Sequence, residues 1–554
     1  MRFFLCAFVL LVASTSSLQA ADAAVVAKSG MVVCVSPDAA DVGVAIMKKG
    51  GNAVDAAVAV AFAMAVTYPP AGNIGGGGFM LVYPGGKAEP VVFDYREVGP
   101  KAINRESFVK EKDHHSHKTA GVPGTVRGME MAHKKFGKLP WADVVTPAAK
   151  LAEEGFVLTK TMANSLNNIL KEKADDTEFQ FCFRKPDKTA WKAGDTLIQK
   201  DLAWTLKLIA TKGPDAFYTG EIGELLDKEM KRGGGYITME DLAAYKAIER
   251  KPIQGAYRGY DVFGPPPPSS GGTCLVEMLN ILERFDLKKQ GRWAPETIHL
   301  MAEAARRAFA DRARYLGDPA FTEIPEHLIT KDYAWKLAAT IDLTKATLSE
   351  TIGDNIPLAK ESEDTTHFSV IDKDGLAVSN TYTLEHSYGC RVVVKGAGYL
   401  LNNEMSDFNW QPGVTTRKGQ IGTKANEAAA GKRMLSSQTP TVIAKDGKAI
   451  LVTGSPGSRT IINTVLGIVV GVIDFDMDVQ AAVDAPRLHH QWFPDEIRFE
   501  GTEKHPDLVK KLRAMGHKVE YAKQGDGHSI WIDPKTGFYH GAADKRIDGK
   551  AAGY

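Results

Sequence analysis

The residues most able to do chemistry cluster in the second half of the chain. Thr365-Thr366-His367-Phe368-Ser369-Val370 follows the acidic run Glu361-Ser362-Glu363-Asp364 and opens a β-rich stretch. A threonine hydroxyl is a weak nucleophile near neutral pH and needs a base beside it and a donor for developing negative charge. The turn Asp372-Lys373-Asp374-Gly375 predicts a hairpin between Thr366–Ile371 and Leu376–Leu384. If Ile371 faces Leu376, Thr365 lies opposite Tyr382 and beside Thr383, so two hydroxyls become neighbours. A second element, Gly454-Ser455-Pro456-Gly457-Ser458, separates the predicted strand Ile450–Thr453 from an apolar helix starting near Thr460. Backbone N–H groups at such a helix start can stabilise an anion. No Gly-Lys-Ser/Thr follows, so it is not a phosphate loop, and Gly75–Gly78 lacks dinucleotide spacing and reads as a close backbone turn. His114-His115-Ser116-His117 reads as a flexible polar loop, and no HExxH pattern is present; no metal is assigned.

These residues are carried by 554 residues of ordinary globular composition, 44% hydrophobic and 24% charged. With 68 basic residues against 67 acidic there is no field to attract a polyanion, and nucleic-acid binding is not expected. Met1–Ala20 has a basic start, an apolar run from Phe3 to Ala13 and a small-residue end, the pattern of a secretory signal. About 11 apolar residues are too few for a bilayer, which takes about 20. The chain is therefore expected to be exported, periplasmic or extracellular, without a stable membrane span. Cys34, Cys182, Cys274 and Cys390 then remain, widely spaced, suggesting neither a zinc ribbon nor a disulfide scaffold. Ala39–Val66 carries a dense helical pattern; Phe79–Tyr83 and Pro90–Asp94 read as strands. Trp141 to Tyr245 reads as a mainly helical outer layer, Tyr260–Phe263 as a strand, and Glu296–Ala310 as a helix started by Pro295. Ile461–Ile473 predicts a buried helix, and a boundary falls between Glu323 and Asp364.

At Thr365 the sequence resembles the γ-glutamyltranspeptidases, self-processing members of the amino-terminal-nucleophile (Ntn) hydrolases. Asp94-Tyr95-Arg96-Glu97, Gly121–Thr125, Pro266–Gly272, Tyr315–Pro319, Leu401-Asn402-Asn403, Leu435-Ser436-Ser437 and Thr453–Gly457 fit the family in order, over nearly the whole chain after the signal. The resemblance implies a precursor that cuts itself between Asp364 and Thr365, giving a large subunit, 21–364, and a small subunit, 365–554, in a four-layer α-β-β-α sandwich. It implies Thr365 as nucleophile, Thr383 holding the Thr365 hydroxyl, and Gly457 and Ser458 as oxyanion donors. Arg96, Ser436 and Ser437 match the α-carboxylate site, and Glu385, Glu404 and Asp407 the α-ammonium site. Many relatives carry Asn and Gln where this chain has Glu385 and Glu404, and often Gly at the position of Ser458. The segment from Phe408 to Leu435 resembles the family's lid, without the aromatic residue that many relatives carry near Lys418. His367 is expected to be a packed histidine, and His489-His490 a structural pair. The implied activity is that of a γ-glutamyltransferase and glutathione hydrolase without a cofactor. Its donors would be glutathione and other γ-glutamyl compounds, with water, amino acids or dipeptides as acceptors. A glutaryl or cephalosporin acylase and an inactive exported binding protein are the competing expectations.

Overall fold

The computed structural model describes residues 23–86, 88–352 and 365–554. The signal-like Met1–Ala20 and the expected cleavage residue Asp364 lie outside the described residues. The two sheets that carry the architecture use fourteen strands: β1 (Val25–Ala27), β2 (Gly30–Cys34), β3 (Gly77–Tyr83), β4 (Val91–Asp94), β5 (Ile248–Arg250), β6 (Ile253–Tyr257), β7 (Tyr260–Gly264), β8 (Thr366–Asp372), β9 (Ala377–Thr383), β10 (Thr441–Lys445), β11 (Lys448–Thr453), β12 (His528–Ile532), β13 (Tyr539–Ala543) and β14 (Lys550–Gly553). One seven-stranded sheet has the order β14-β2-β8-β9-β3-β4-β5, the other β1-β13-β12-β11-β10-β7-β6. Both are antiparallel throughout.

The period-2 alternation of side chains decides which residues fill which layer. Met31, Val33, Phe79, Leu81 and Ile371 point from the first sheet into a shared core with Val442, Ala444, Val452 and Ile530 of the second. Their neighbours Val32, Met80, Val82 and Val370 point outward, into a core covered by α1 (Pro37–Lys48) and α2 (Ala53–Thr67). On the far side, Ile443 and Leu451 meet α3 (Gly271–Leu282), α4 (Pro295–Tyr315) and α5 (Thr460–Phe475). The result is an α-β-β-α sandwich. Among the described residues no helix is long and apolar enough to cross a membrane, and all four cysteines are free thiols.

Three local expectations change. The helical pattern from Ala39 to Val66 is two helices, broken at Gly50-Gly51-Asn52. Gly50 has φ +106°, and Asn52 and Asp55 form a reciprocal capping box at the start of α2. The strand expected at Phe79 begins earlier, at Gly77, because Gly75–Gly78 is a site of close backbone approach as well as a turn. A Cβ on Gly76 would lie 2.0 Å from the Thr383 carbonyl oxygen, and one on Gly78 2.3 Å from that of Thr381. The hairpin register also shifts by one: Ile371 pairs with Ala377 and Thr366 with Tyr382. Helices at Trp141–Glu154 and Lys200–Lys212, among others, occupy the region from Trp141 to Tyr245 as expected. So does the buried helix α5 after Gly457.

Gly76→Ala forces a methyl group into backbone that has no slack. It should destabilise the protein by about 1–3 kcal/mol, read as a lower thermal unfolding midpoint; an unchanged midpoint would show that β3 does not pack against β9 as described.

Candidate active site

The corrected register places Thr365 better than the expected one. Continuing the ladder one step beyond Thr366 and Tyr382 sets Thr365 directly across from Thr383, on the same sheet face rather than diagonally on the opposite one. Thr383 is fixed from two sides. Its carbonyl accepts from Asn73 Nδ2 at 2.9 Å, and its Oγ1 accepts the Glu385 N–H at 2.8 Å. The same inward face carries a polar column beneath the two threonines. His367 Nδ1 is 2.8 Å from Thr381 Oγ1 and its Nε2 is 3.1 Å from Ser369 Oγ. Ser369 donates to the His528 carbonyl and Ser379 to that of Thr453, tying the two sheets together. Burial, reinforced by His528, holds the His367 imidazole well below its usual pKa. His367 is thus the packed, hydrogen-bonded histidine expected from the sequence.

Across the cleft, Gly457 and Ser458 sit on the turn that enters α5. Gly457 has φ +122°, and a Cβ there would lie 2.5 Å from Thr460 Oγ1, so only glycine fits. Ser458 has φ +53°, left-handed but within reach of a serine. The Gly457 carbonyl accepts from the Thr460 N–H and hydroxyl, and the Ser458 carbonyl from the Ile461 N–H. Neither the Gly457 nor the Ser458 N–H donates to an acceptor among the described residues. Two unengaged donors therefore sit at the N-terminal end of a 16-residue helix, a suitable place for developing negative charge.

Arg96 is 1% exposed at the bottom of the site. Its backbone is held by Asp94, which accepts the Arg96 N–H, and by the Tyr245 hydroxyl, which donates to the Arg96 carbonyl. Its guanidinium is bonded to Asp407, lies 2.6 Å from Glu404 and reaches Glu97 at 3.5 Å. The sequence expectation assigned Arg96 to an anion and the acids to a cation; in the structure Arg96 pairs with two of those acids, Glu404 and Asp407. One guanidinium cannot balance Glu97, Glu385, Glu404 and Asp407 in a site so deeply buried. Burial pushes the Glu404 carboxyl well above the usual range despite Arg96, and pushes Glu97 up to about 8. Although burial disfavours the charged guanidinium, the surrounding acids, Glu404 foremost, raise its proton affinity further. The cluster therefore retains a proton at neutral pH.

Ser436 and Ser437 close the cleft opposite. The Ser436 carbonyl accepts both the N–H and the hydroxyl of Ser270, so the Pro266–Gly272 motif is a bracket for the serine pair. Ser436 Oγ accepts the Gln438 N–H at 3.1 Å. Thr365, Thr383, Arg96, Glu385, Asp407, Ser436, Ser437 and Ser458 line one cleft. Glu404 lies buried behind Arg96, and Gly457 lies just outside the lining. Sequence reasoning missed Gln438 and Ile461, which also line it, and Arg312 beneath it; all are far from the nucleophile in sequence and carry no motif signature of their own.

The histidine loop is packed, which corrects the flexible polar loop expected from the sequence. His114 stacks on Trp410 at 4.2 Å and 5°, and its Nδ1 is 3.0 Å from Ser406 Oγ. His115 Nε2 is 3.1 Å from His386 Nδ1, and His117 Nε2 is 2.8 Å from Glu229. The loop thus clamps the Glu404–Asp407 turn. Trp410 and Asn426 fasten the lid-like segment by bonds to the Met405 and Asp407 carbonyls. Arg459 anchors it at Gly419. His489 bonds Asn463 and Gln491 as part of the packing. Among the described residues, three groups hold carboxylate, imidazole or thiol atoms close enough for a metal ion. In two of them arginines already neutralise a carboxylate: Arg306 and Arg307 at Glu303, and Arg96 at Glu404 and Asp407. In the third, burial and neighbouring acids push the Cys182 thiol up to about 12, against thiolate formation.

Comparison with known proteins agrees with this geometry. Residues 39–554 match the family model for γ-glutamyltranspeptidase. The chain is 47% identical over 538 residues to the glutathione hydrolase proenzyme of Escherichia coli K12, covering 95% of this chain and 92% of the relative. It superposes on the crystal structure of cephalosporin acylase from Bacillus halodurans with a TM-score of 0.85, at 28% identity and 99% coverage of both chains. Helicobacter pylori γ-glutamyltranspeptidase is 42% identical, with a TM-score of 0.55 over 57% of this chain and 93% of that one. The chain belongs to the γ-glutamyltranspeptidase family, and its sandwich is that of the Ntn hydrolases.

The retained proton gives a test with a fixed sign. Raising the Glu97 pKa above its ordinary value of 4.5 means that the folded protein binds more protons than the unfolded chain between about pH 4.5 and 8. Stability from this group is complete at the acid end and falls as pH rises through that window. Glu97→Gln should therefore show a smaller drop in thermal midpoint between pH 5 and 8 than the unaltered protein; parallel slopes would contradict the assignment.

Proposed function

We propose that the protein is a self-processing γ-glutamyltransferase and glutathione hydrolase with Thr365 as its nucleophile. The observation that carries this reading is the hairpin register, which sets Thr365 across from Thr383 at a cleft that also holds Arg96, the serine pair, Glu385 and Asp407. In the precursor, Thr365 Oγ1 attacks the Asp364 carbonyl carbon, the peptide becomes an ester, and water releases Asp364. The α-amino group freed on Thr365, with a reference pKa of about 7.7–8.0, then accepts the proton of the hydroxyl beside it. One residue supplies both nucleophile and base.

A γ-glutamyl donor is a zwitterion at its α-carbon, and the cluster around Arg96 is built to exchange partners with it. The α-carboxylate takes the guanidinium and the hydroxyls of Ser436 and Ser437. The displaced Asp407, with Glu385 and Glu404, takes the α-ammonium. The γ-carbonyl is then presented to Thr365, and the Gly457 and Ser458 N–H groups receive the oxyanion. Expulsion of the amine leaves a γ-glutamyl ester, which water or the amino group of an amino acid or dipeptide resolves. The two segments, 21–364 and 365–554, remain associated without a covalent link, since β8 and β9 lie between β2 and β3. Met1–Ala20 directs export to the periplasm or beyond.

The likeness to cephalosporin acylase supports a second reading, removal of a glutaryl group by the same nucleophile. The excess of acids beside Arg96 favours a donor carrying an ammonium and so the first reading. Thr365→Ala should remain a single uncleaved chain by mass spectrometry and release nothing from a γ-glutamyl anilide, while the unaltered protein yields a fragment beginning at Thr365. Thr383→Ala should lower kcat by about 100-fold, the scale of a misplaced reacting group. Processing undiminished in Thr365→Ala, or a glutaryl anilide turned over faster than the γ-glutamyl one, would overturn the reading.

A further inference from the structure

The two serines of the cleft differ in what holds them. Ser436 Oγ is fixed by a neighbouring backbone N–H. Ser437 Oγ is fixed by a buried cation: Arg312 of α4, 1% exposed, donates to it at 2.9 Å and through Nε to Ser270 Oγ at 2.8 Å. Ser270 in turn donates its hydroxyl to the Ser436 carbonyl at 2.7 Å. One planar guanidinium thus braces both arms of the serine pair from below.

The consequence follows from counting hydrogens. A serine hydroxyl has one proton and two lone pairs. A guanidinium only donates, so where Arg312 meets Ser437 Oγ it occupies a lone pair, and the hydroxyl proton must point elsewhere. Ser437 Oγ donates to no acceptor among the described residues, and the side chain lines the cleft. Its proton is therefore available to an acceptor in the cleft. A carboxylate, which only accepts, takes that proton; an amide NH2 or an ammonium could use only the remaining lone pair and would leave the hydroxyl proton without an acceptor.

We propose that Arg312 is the positioning residue of the α-carboxylate site, aiming the Ser437 hydroxyl proton into the cleft and thereby favouring donors with a free α-carboxylate. The inference rests on the functional reading above. Arg312 touches no substrate; it acts through Ser437 and Ser270. Lysine cannot copy the effect, because a single ammonium cannot bond both serines in the fixed fork geometry of a guanidinium.

The experiment compares two chromogenic donors, a γ-glutamyl anilide with a free α-carboxylate and its α-carboxamide, on the processed enzyme. Arg312→Lys should raise KM for the carboxylate donor about 10-fold while kcat changes less than about 3-fold, the loss expected when binding rather than chemistry is impaired. The preference for carboxylate over carboxamide should shrink by the same factor. Ser437→Ala should shrink it similarly, and the double variant should lose no more than either single one, since both remove one coupled unit. If Arg312→Lys does not mature, Ser270→Ala provides the test, since it leaves the arginine in place and removes one of its anchors. A loss of about 3-fold confined to the carboxylate donor supports the proposal. An equal loss on both donors, no loss in Ser270→Ala, or losses that add with Ser437→Ala overturn it. An unaltered enzyme that does not distinguish the two donors overturns the functional reading itself; one that does, beside variants that keep the distinction, overturns the role of Arg312 alone.

Discussion

The site depends on the antiparallel register between β8 and β9. Because the side-chain period of a strand is two, sliding one strand by a single residue would send Thr365 and Thr383 to opposite faces of the sheet. The register is held from both flanks. β2 pairs with β8 from Phe368 to Asp372, and β3 pairs with β9 along its whole length. On the β3 side the clamp is tight enough that Gly76 and Gly78 have no room for a side chain. A fixed register then delivers a fixed polar column, in which His367, Ser369, Thr381 and Ser379 satisfy one another or the facing sheet. Buried polar groups left unpaired would be costly, so this network favours the observed pairing over its one-residue slips.

The second constraint is electrostatic. A cleft that gathers four carboxylates around Arg96 is unfavourable when fully ionised, and the protein relieves it by internal pairing and by keeping a proton. Under the proposed function, a zwitterionic donor would reverse both devices. Its carboxylate would compete for the arginine and its ammonium for the acids, so that neither charge of the ligand, nor any charge it displaces, would be left unpaired in low dielectric. A ligand with only one of the two charges leaves a partner stranded, at the cost of an uncompensated buried ion. On that reading, having acids at both Glu385 and Glu404 sharpens this requirement.

Much of this was legible in the sequence, and the failures have identifiable causes. Thr365, Thr383, Arg96 and the serine pair could be named because short motifs surround them. The hairpin was also evident, but its register was not. The expected pairing of Ile371 with Leu376 assumed a four-residue turn, whereas Asp372 pairs with Leu376 around a three-residue loop in which Gly375 adopts φ +82°. Loop length sets register, and Asp-Lys-Asp-Gly is compatible with either length. The break between α1 and α2 was hidden because Ala and Val continue on both sides of Gly50 and Gly51. His114 to His117 read as a solvated loop because the partners that pack them, Trp410, His386 and Glu229, lie more than 100 residues away. Arg312 was invisible for the same reason: an arginine on a long helix is ordinarily a surface residue, and only its approach to Ser270 and Ser437 gives it meaning.

The same interleaving explains how a chain could be cut before Thr365, as proposed, and still hold together. A break before Thr365 falls at the start of β8, a central strand. In most sheets a free end there would fray. Here β8 is followed at once by β9, and each is hydrogen-bonded to a strand from the N-terminal segment. Ile371 and Ala377 are packed with Met31, Phe79 and Leu81 in the core between the sheets. The second sheet repeats the arrangement, with β1, β6 and β7 from one segment and β10 to β13 from the other. Separating the segments would therefore expose the interior of both sheets at once. A new amino terminus could thus be created inside the cleft without loosening the strand that presents it, as the proposed base, sharing its residue with the nucleophile, would require.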